Sequence, residues 1–119
     1  MPVTMHHDGG NVYRVEIRGT LRKVELDRCM DELTPQMDRI GSVRLLFVLE
    51  QFDGWEKSGD WGDLTFYVAH GDAIERIAIV GDPRWRSEAL MFASADLRKA
   101  PVEFFATDAA AAARAWLAA

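Results

Sequence analysis

Residues 75–85, ERIAIVGDPRW, indicate the fold most strongly. Residues 77–80 are a short, wholly apolar run, which is typical of a strand buried on both faces. Gly81 ends that strand, Asp82 offers a carboxylate that can cap a helix, and Pro83 has the fixed φ that suits the first helical position. A buried strand that leads directly into a capped helix is half of a β-α-β unit. The stretch therefore predicts an open α/β sheet, whose ligands bind at the carboxyl ends of the strands.

The first 20 residues predict a β-hairpin near an edge of the sheet. Its strands are residues 3–6 and 12–18, and Gly19 is expected to close it. Strict alternation of apolar and charged residues in the second strand indicates one buried and one solvated face. The apolar residues of that strand are Tyr13, Val15 and Ile17.

Residues 21–40 change to a helical period. Apolar side chains recur at steps of four and three, which predicts one stripe of an amphipathic helix. The stripe consists of Leu26, Met30, Leu33, Met37 and Ile40. Pro35 is expected to bend this helix or to split it near Thr34, and Gly41 is expected to end it.

The rest of the chain alternates strands and helices. The apolar run within residues 42–49 predicts the central strand. We then expect an aromatic loop at 50–59, a helix at 60–70, a strand at 74–80, a helix at 83–95 and a strand at 102–105. Asp108 is expected to cap a final helix that packs on the sheet through Ala112, Ala113, Trp116 and Leu117. The predicted fold is a mixed β-sheet with helices packed on it, in the order ββαβαβαβα, and the 119 residues predict a single domain.

Composition excludes several classes of partner and site. The net charge of −5, from 19 acidic and 14 basic residues, disfavours nucleic acid and anionic membranes as partners. Cys29 is alone, so there is neither an internal disulfide nor a cysteine metal cluster, and we expect it to be buried. No apolar run approaches the roughly 20 residues that span a bilayer. Without the pattern of a signal peptide, the sequence predicts a cytoplasmic protein.

Three strings carry a resemblance to a known family. They are FDGW at 52–55, RIAIVGD at 76–82 with RW at 84–85, and ARAWL at 113–117. With these strings in this order, the chain resembles the SpoIIAA-like branch of the STAS superfamily. The resemblance implies a STAS-like fold and small bacterial cytoplasmic proteins without assigned chemistry. It also implies a relation to Sec14-type domains, which carry lipids.

The resemblance makes Ser58 a candidate phosphorylation site. Anti-sigma-factor antagonists, which are STAS proteins, are switched by phosphorylation of a serine at the helix that follows the third strand. Ser58 stands in about that place, but the Asp-Ser-Ser-Gly or Asp-Ser-Thr-Gly context is absent. The alternative is a loop or capping serine, with Asp60 as the N-cap and Asp63 in the first helical turn.

Large aromatic residues gather at two strand–helix junctions. Phe52, Trp55 and Trp61 lie within ten residues after the central strand, and Trp85 follows the next strand. They can line the mouth of an apolar ligand site, form a dimer interface, or pack onto their own core. Asp82 and Arg84 can supply polar groups at the rim of such a site, or serve as a helix cap and a solvated residue. The set Phe52, Trp55, Trp61, Asp82, Arg84 and Trp85 is the predicted ligand-binding site.

Metal and catalytic patterns are weak. His6 and His7 point to opposite faces of a strand, so with Asp8 they do not predict a metal site. The motifs of hydrolases, metalloproteases, phosphate loops and dinucleotide sites are absent, and no cofactor is predicted. An acid–base enzyme would have to use the carboxylates of Glu50, Asp53, Glu56, Asp60 and Asp63.

The sequence therefore predicts a non-enzymatic binding or regulatory module of the STAS-like class, holding a small apolar or lipid-like ligand at the carboxyl ends of its strands. The alternative is a protein-interaction switch, like the anti-sigma-factor antagonists, that acts on a regulatory partner through phosphorylation of Ser58 or through the same surface. A homodimer is expected in either case, because an edge hairpin needs cover and two-fold dimers are the commonest oligomers.

Overall fold

The computed structural model describes residues 3–56, 73–92 and 101–119. Within these ranges five strands form one sheet in the order β1-β2-β3-β4-β5. The strands are β1 (Val3–Gly9), β2 (Val12–Leu21), β3 (Val43–Trp55), β4 (Ile74–Gly81) and β5 (Val102–Ala106). β1 is antiparallel to β2, and the other neighbouring strands are parallel. This mixed sheet confirms the predicted fold class.

The described helices are α1 (Lys23–Ile40), α2 (Arg86–Phe92) and α3 (Ala110–Ala118). Single 3₁₀ turns precede α2 and α3, at Pro83–Trp85 and Thr107–Ala109. The helix predicted at 60–70 and the end of the helix predicted at 83–95 lie outside the described residues. None of the described helices is long and apolar enough to cross a membrane.

The hairpin lies at the edge of the sheet, as predicted. Tyr13, Val15 and Ile17 are buried on one face of β2, because alternation directs every second side chain to the same side. The prediction that Gly19 closes the hairpin is wrong. β2 continues to Leu21, and Gly19, at φ 64°, lies at an irregularity inside the strand.

Helix α1 follows its predicted stripe and ends where expected. Four residues of the stripe are buried and Ile40 is half-buried. The helix is continuous through Pro35, so it is not split. A proline removes one N–H, and the carbonyl that loses its partner belongs to Asp31, an exposed residue that water can reach. Gly41, at φ 97°, ends the helix and donates its N–H to the carbonyl of Met37 at 2.8 Å.

The helices divide between the two faces of the sheet. Ala89 of α2 belongs to the same buried core as the apolar stripe of α1. Right-handed crossovers that advance in one direction across a sheet place their helices on one face, which we call the α1 face. The last helix, α3, packs on the other face through Ala113 and Leu117, against Leu46, Ala78 and Val80.

The start of α3 and one of its packing residues differ from the prediction. Asp108 does not cap it, because the chain first makes a 3₁₀ turn and no side chain caps the helix start. Ala112 is exposed, whereas Trp116 is half-buried beside the smaller core.

The carbonyls at the carboxyl end of α3 accept hydrogen bonds from two strand arginines. Arg44 Nη1 donates to Leu117 at 2.6 Å and to Ala119 at 2.8 Å, and Arg76 Nη1 donates to Trp116 at 2.6 Å.

Candidate functional site

The central strand is longer than predicted, and its extension is irregular. Residues 50–55, predicted as part of a loop, continue β3 and pair with β2. Phe52 pairs with Gly19 and Trp55 with Leu21, while Gln51 and Asp53 have no partner in β2. Residues 50–55 are therefore a doubly bulged strand end, which we call the bulged segment.

The bulges change which side chains face α1. Leu49 lies on the α1 face, and regular alternation would place Phe52 on the opposite face. Gln51 has φ 46° and Gly54 has φ 106°, both in the left-handed region. Each bulge shifts the alternation of side chains between the two faces by one residue. Leu49, Phe52 and Trp55 therefore share the α1 face at a spacing of three residues. Phe52 is consequently buried, with 4% of its surface exposed.

Phe52, Trp55 and Trp85 form an aromatic cluster. The ring centroids are 4.9 Å apart for Phe52 and Trp55, 5.1 Å for Phe52 and Trp85, and 6.0 Å for the two tryptophans. All three pairs are edge-to-face, at 76° to 85°, which is a favoured arrangement of aromatic quadrupoles. Phe52 anchors the cluster in the core, while both tryptophans are half-buried. The cluster lies where β3 and β4 end.

The turn after β4 delivers Trp85 to this cluster. Asp82 Oδ1 accepts from the Arg84 N–H at 3.0 Å, and the Trp85 N–H donates to the Asp82 carbonyl at 3.0 Å. The capping interpretation of Asp82 is thus correct, although Pro83 begins a 3₁₀ turn and α2 starts only at Arg86. This turn brings the Trp85 ring to 5.1 Å from Phe52 and 6.0 Å from Trp55.

Gly54 allows the indole of Trp85 to approach the strand. A Cβ at Gly54 would lie 3.3 Å from Cη2 of Trp85, and the φ of 106° is one that residues with side chains rarely adopt. The glycine therefore satisfies two requirements, the turn of the bulge and the space for the ring.

Arg84 lies at the outer side of the cluster. Its Cζ is 5.0 Å from the centroid of the Trp85 ring, a cation–π contact, and the residue is exposed. The side chain of Arg84 therefore places a positive charge beside the aromatic surface.

Glu56 is a structural residue that sequence reasoning missed. Its Oε1 accepts from the backbone N–H of Lys23 at 2.8 Å, and its own N–H donates to the Leu21 carbonyl at 2.9 Å. Glu56 therefore caps the start of α1, a position that favours a carboxylate. Nothing local signals this role, because the two partners are 33 residues apart.

The other acidic candidates are also separated. Glu50 pairs with Arg18 at 2.7 Å on the opposite face from the cluster, and Asp53 is exposed. Asp60 and Asp63 lie outside the described residues, as do Ser58 and Trp61. The structure therefore brings together Phe52, Trp55 and Trp85 with Asp82 and Arg84, and it does not place the remaining predicted site residues.

The histidines near the start of the chain lie on different faces. His7 stacks on Tyr13 with ring centroids 4.6 Å apart, whereas His6 Nε2 is 4.0 Å from Glu16. In the ranges that the structure describes, no three His, Cys, Asp or Glu side chains are grouped as metal ligands would be.

Comparison with known proteins agrees with this architecture. The SpoIIAA-like family model matches residues 12–118. The chain belongs to the SpoIIAA-like family. A crystal structure of an uncharacterized protein from Shewanella loihica PV-4, described as a DUF3478 family member with a SpoIIAA-like fold, is similar with a TM-score of 0.73. The two sequences are 19% identical over 97% of this chain and 91% of the other, a likeness that shows the fold. No curated protein matches the chain.

Proposed function

We propose that this SpoIIAA-like chain is a non-enzymatic binding module that holds a small apolar or lipid-like ligand against the aromatic cluster. The observation that carries the proposal is the convergence of Phe52, Trp55 and Trp85 at the ends of β3 and β4. Ligands of open α/β sheets bind at this edge, and apolar pockets are lined mainly by aromatic and aliphatic side chains.

The backbone of the bulged segment supports this interpretation. A residue other than glycine in the left-handed region costs on the order of 1 kcal/mol, and Gln51 adopts that region. Bulges commonly re-aim side chains beside functional sites. The bulges place Phe52 and Trp55 together on one face at the strand end.

The chemistry of the surrounding residues is that of binding. The cluster offers apolar surface, Asp82 is engaged at the start of the turn, and Glu56 is engaged at the start of α1. These carboxylates have structural partners, and neither lies beside a nucleophilic side chain among the described residues. We therefore assign the site a binding role rather than acid–base catalysis.

A calorimetric titration with two chain-matched probes, dodecanoate and dodecanol, tests the proposal. We expect saturable binding of at least one probe, and about a tenfold weaker affinity in Trp55→Ala, because truncating a central aromatic anchor typically costs more than 1 kcal/mol. Trp116→Phe is the matched control. It alters a half-buried indole on the opposite face of the sheet and should retain the affinity.

Two outcomes would contradict the proposed function. The first is the absence of saturable binding for both probes. The second is unchanged affinity in a Trp55→Ala protein whose far-ultraviolet circular dichroism shows it to be folded. Calorimetry is preferred to fluorescence here, because Trp55 would itself be one of the reporters.

A further inference from the structure

The chain contains two arginine–tryptophan pairs that can be compared directly. The Arg76 guanidinium lies 5.2 Å from the ring centroid of Trp116, and the Arg84 guanidinium lies 5.0 Å from that of Trp85. Arg76 uses its Nη1 to cap α3 through the Trp116 carbonyl at 2.6 Å. The guanidinium of Arg84 makes neither an ion pair nor a hydrogen bond with any of the described residues. The Arg76–Trp116 pair is therefore structural, whereas the guanidinium of Arg84 keeps its N–H donors available.

The nearest carboxylate in sequence does not neutralise Arg84. Asp82 Oδ1 is held by the backbone N–H of Arg84 at 3.0 Å, in the role of a turn cap. That carboxylate is not within ion-pair distance of the guanidinium. A guanidinium keeps its charge at all physiological pH values and presents five N–H donors in one plane. Stacking on an indole leaves the donors at the edge of that plane accessible.

Trp85 connects this cation to the aromatic cluster. Its ring is 5.1 Å from Phe52 and 6.0 Å from Trp55, and the guanidinium lies against the same ring. A molecule lying on the cluster would therefore contact apolar surface along its body and the positive charge of Arg84 at one end. This pairing matches an amphipathic anion, whose carboxylate can accept two parallel hydrogen bonds from one guanidinium.

We propose that the ligand of the cluster is an amphipathic carboxylate, with its chain on the half-buried rings of Trp55 and Trp85 and its acidic head group on Arg84. This inference rests on the proposed function and adds the charge of the ligand to it. The positioning of Arg84 by the Asp82 turn and by the indole face limits its rotamers, which lowers the entropic cost of binding a head group.

The test compares dodecanoate with dodecanol at neutral pH, below the concentrations at which either aggregates. We expect the wild-type chain to bind dodecanoate about tenfold more tightly than dodecanol, since hydrogen bonds to charged groups are the stronger ones. Arg84→Met keeps an apolar stem and removes the charge. It should weaken dodecanoate binding by about tenfold and change dodecanol binding by less than about twofold.

The control is Arg86→Met, which makes the same change in net charge at an exposed arginine two residues away. Its affinities for both probes should equal those of the wild type. Equal binding of dodecanoate and dodecanol by the wild type, or an unchanged preference in Arg84→Met, would overturn the assignment of Arg84 while leaving the binding function intact. Absence of binding by both probes would overturn the binding function and this inference together.

Discussion

Gly81, at the end of β4, leaves room for the side chain of Leu49 in the neighbouring strand β3. A Cβ built on it would lie 3.0 Å from both Cβ and Cδ1 of Leu49, a buried residue of β3. Such contacts are closer than packed side chains tolerate, so either the strand or Leu49 would have to move. A glycine that ends a strand in the sequence thus also carries a packing requirement.

We predict that Gly81→Ala lowers the free energy of unfolding by about 1–3 kcal/mol, the usual cost of overpacking. Urea denaturation measures this directly. In a Leu49→Ala background Cγ and Cδ1 of Leu49 are absent and only its Cβ remains, so the same substitution should cost less there. An equal cost in both backgrounds would show that the contact with Cγ and Cδ1 of Leu49 is not the cause.

Cys29 illustrates a residue whose environment suppresses reactivity. Burial in α1, reinforced by the charge of Glu32 and opposed by Arg28, raises the pKa of its thiol from 9.0 to about 11. A higher pKa means less thiolate at neutral pH, and the thiolate is the nucleophile.

We predict that the native chain reacts with a thiol reagent at neutral pH about a hundredfold more slowly than the chain unfolded in urea, from the thiolate fraction alone. The rate of iodoacetamide labelling, followed by mass spectrometry, measures this. Below the raised pKa, the native rate should increase tenfold for each pH unit. A native rate equal to that of the unfolded chain would contradict the burial of Cys29.

At the scale of elements, β3 shows where sequence patterns stop being informative. The apolar run up to Leu49 predicted the central strand correctly, because burial on both faces leaves a continuous signal. Beyond Leu49, the two bulges break the alternation, and glycine with acidic residues resembles a loop. The pairing with β2 that keeps residues 50–55 extended is a long-range interaction, so no local pattern records it.

Helix α1 and strand β4 were predictable for the converse reason. The stripe of α1 and the apolar run of β4 are each encoded within one segment, and the turn at Asp82 and Pro83 follows local capping rules. The polar contacts that fix helix ends were not predictable. Glu56 at α1, and Arg44 and Arg76 at α3, act over 33, 73 and 40 residues respectively.

Arg76 contributes to the attachment of α3 to the sheet. Arg76→Ala removes a part-buried hydrogen bond to the Trp116 carbonyl and the contact with its ring. We expect it to lower the free energy of unfolding by about 1–3 kcal/mol, since hydrogen bonds to charged groups are stronger than neutral ones.

The control for this prediction is Arg39→Ala, which breaks only an exposed hydrogen bond to Gln36 in α1. Its cost should stay within about 0.5 kcal/mol, apart from small changes in helix propensity. Equal destabilisation by the two variants in urea unfolding would indicate that Arg76 does not hold α3 to the sheet.

At the scale of the whole molecule, the two faces of the sheet have different roles. The α1 face carries the larger core, and the aromatic cluster continues this core to the edge where β3 and β4 end. The other face carries α3 and its arginine contacts. Among the described tryptophans, Trp55 and Trp85 lie at the cluster, and Trp116 lies in α3 beside the smaller core.

Part of the candidate site could be predicted from the sequence, and part could not. The rule that ligands bind at the carboxyl ends of strands predicted Phe52, Trp55, Trp61 and Trp85 as neighbours, of which Trp61 lies outside the described residues. What the rule could not supply was the face on which each ring lies, because that depends on the bulges at Gln51 and Gly54.

A proton–nitrogen correlation spectrum of the indole Nε1–H groups during titration with dodecanoate tests ligand binding at the aromatic cluster directly. We expect saturable shifts of the Trp55 and Trp85 signals, assigned by Trp→Phe substitution, while the Trp116 signal stays in place. Unmoved Trp55 and Trp85 signals at saturating dodecanoate, or shifts of equal size at Trp116, would contradict binding at the cluster.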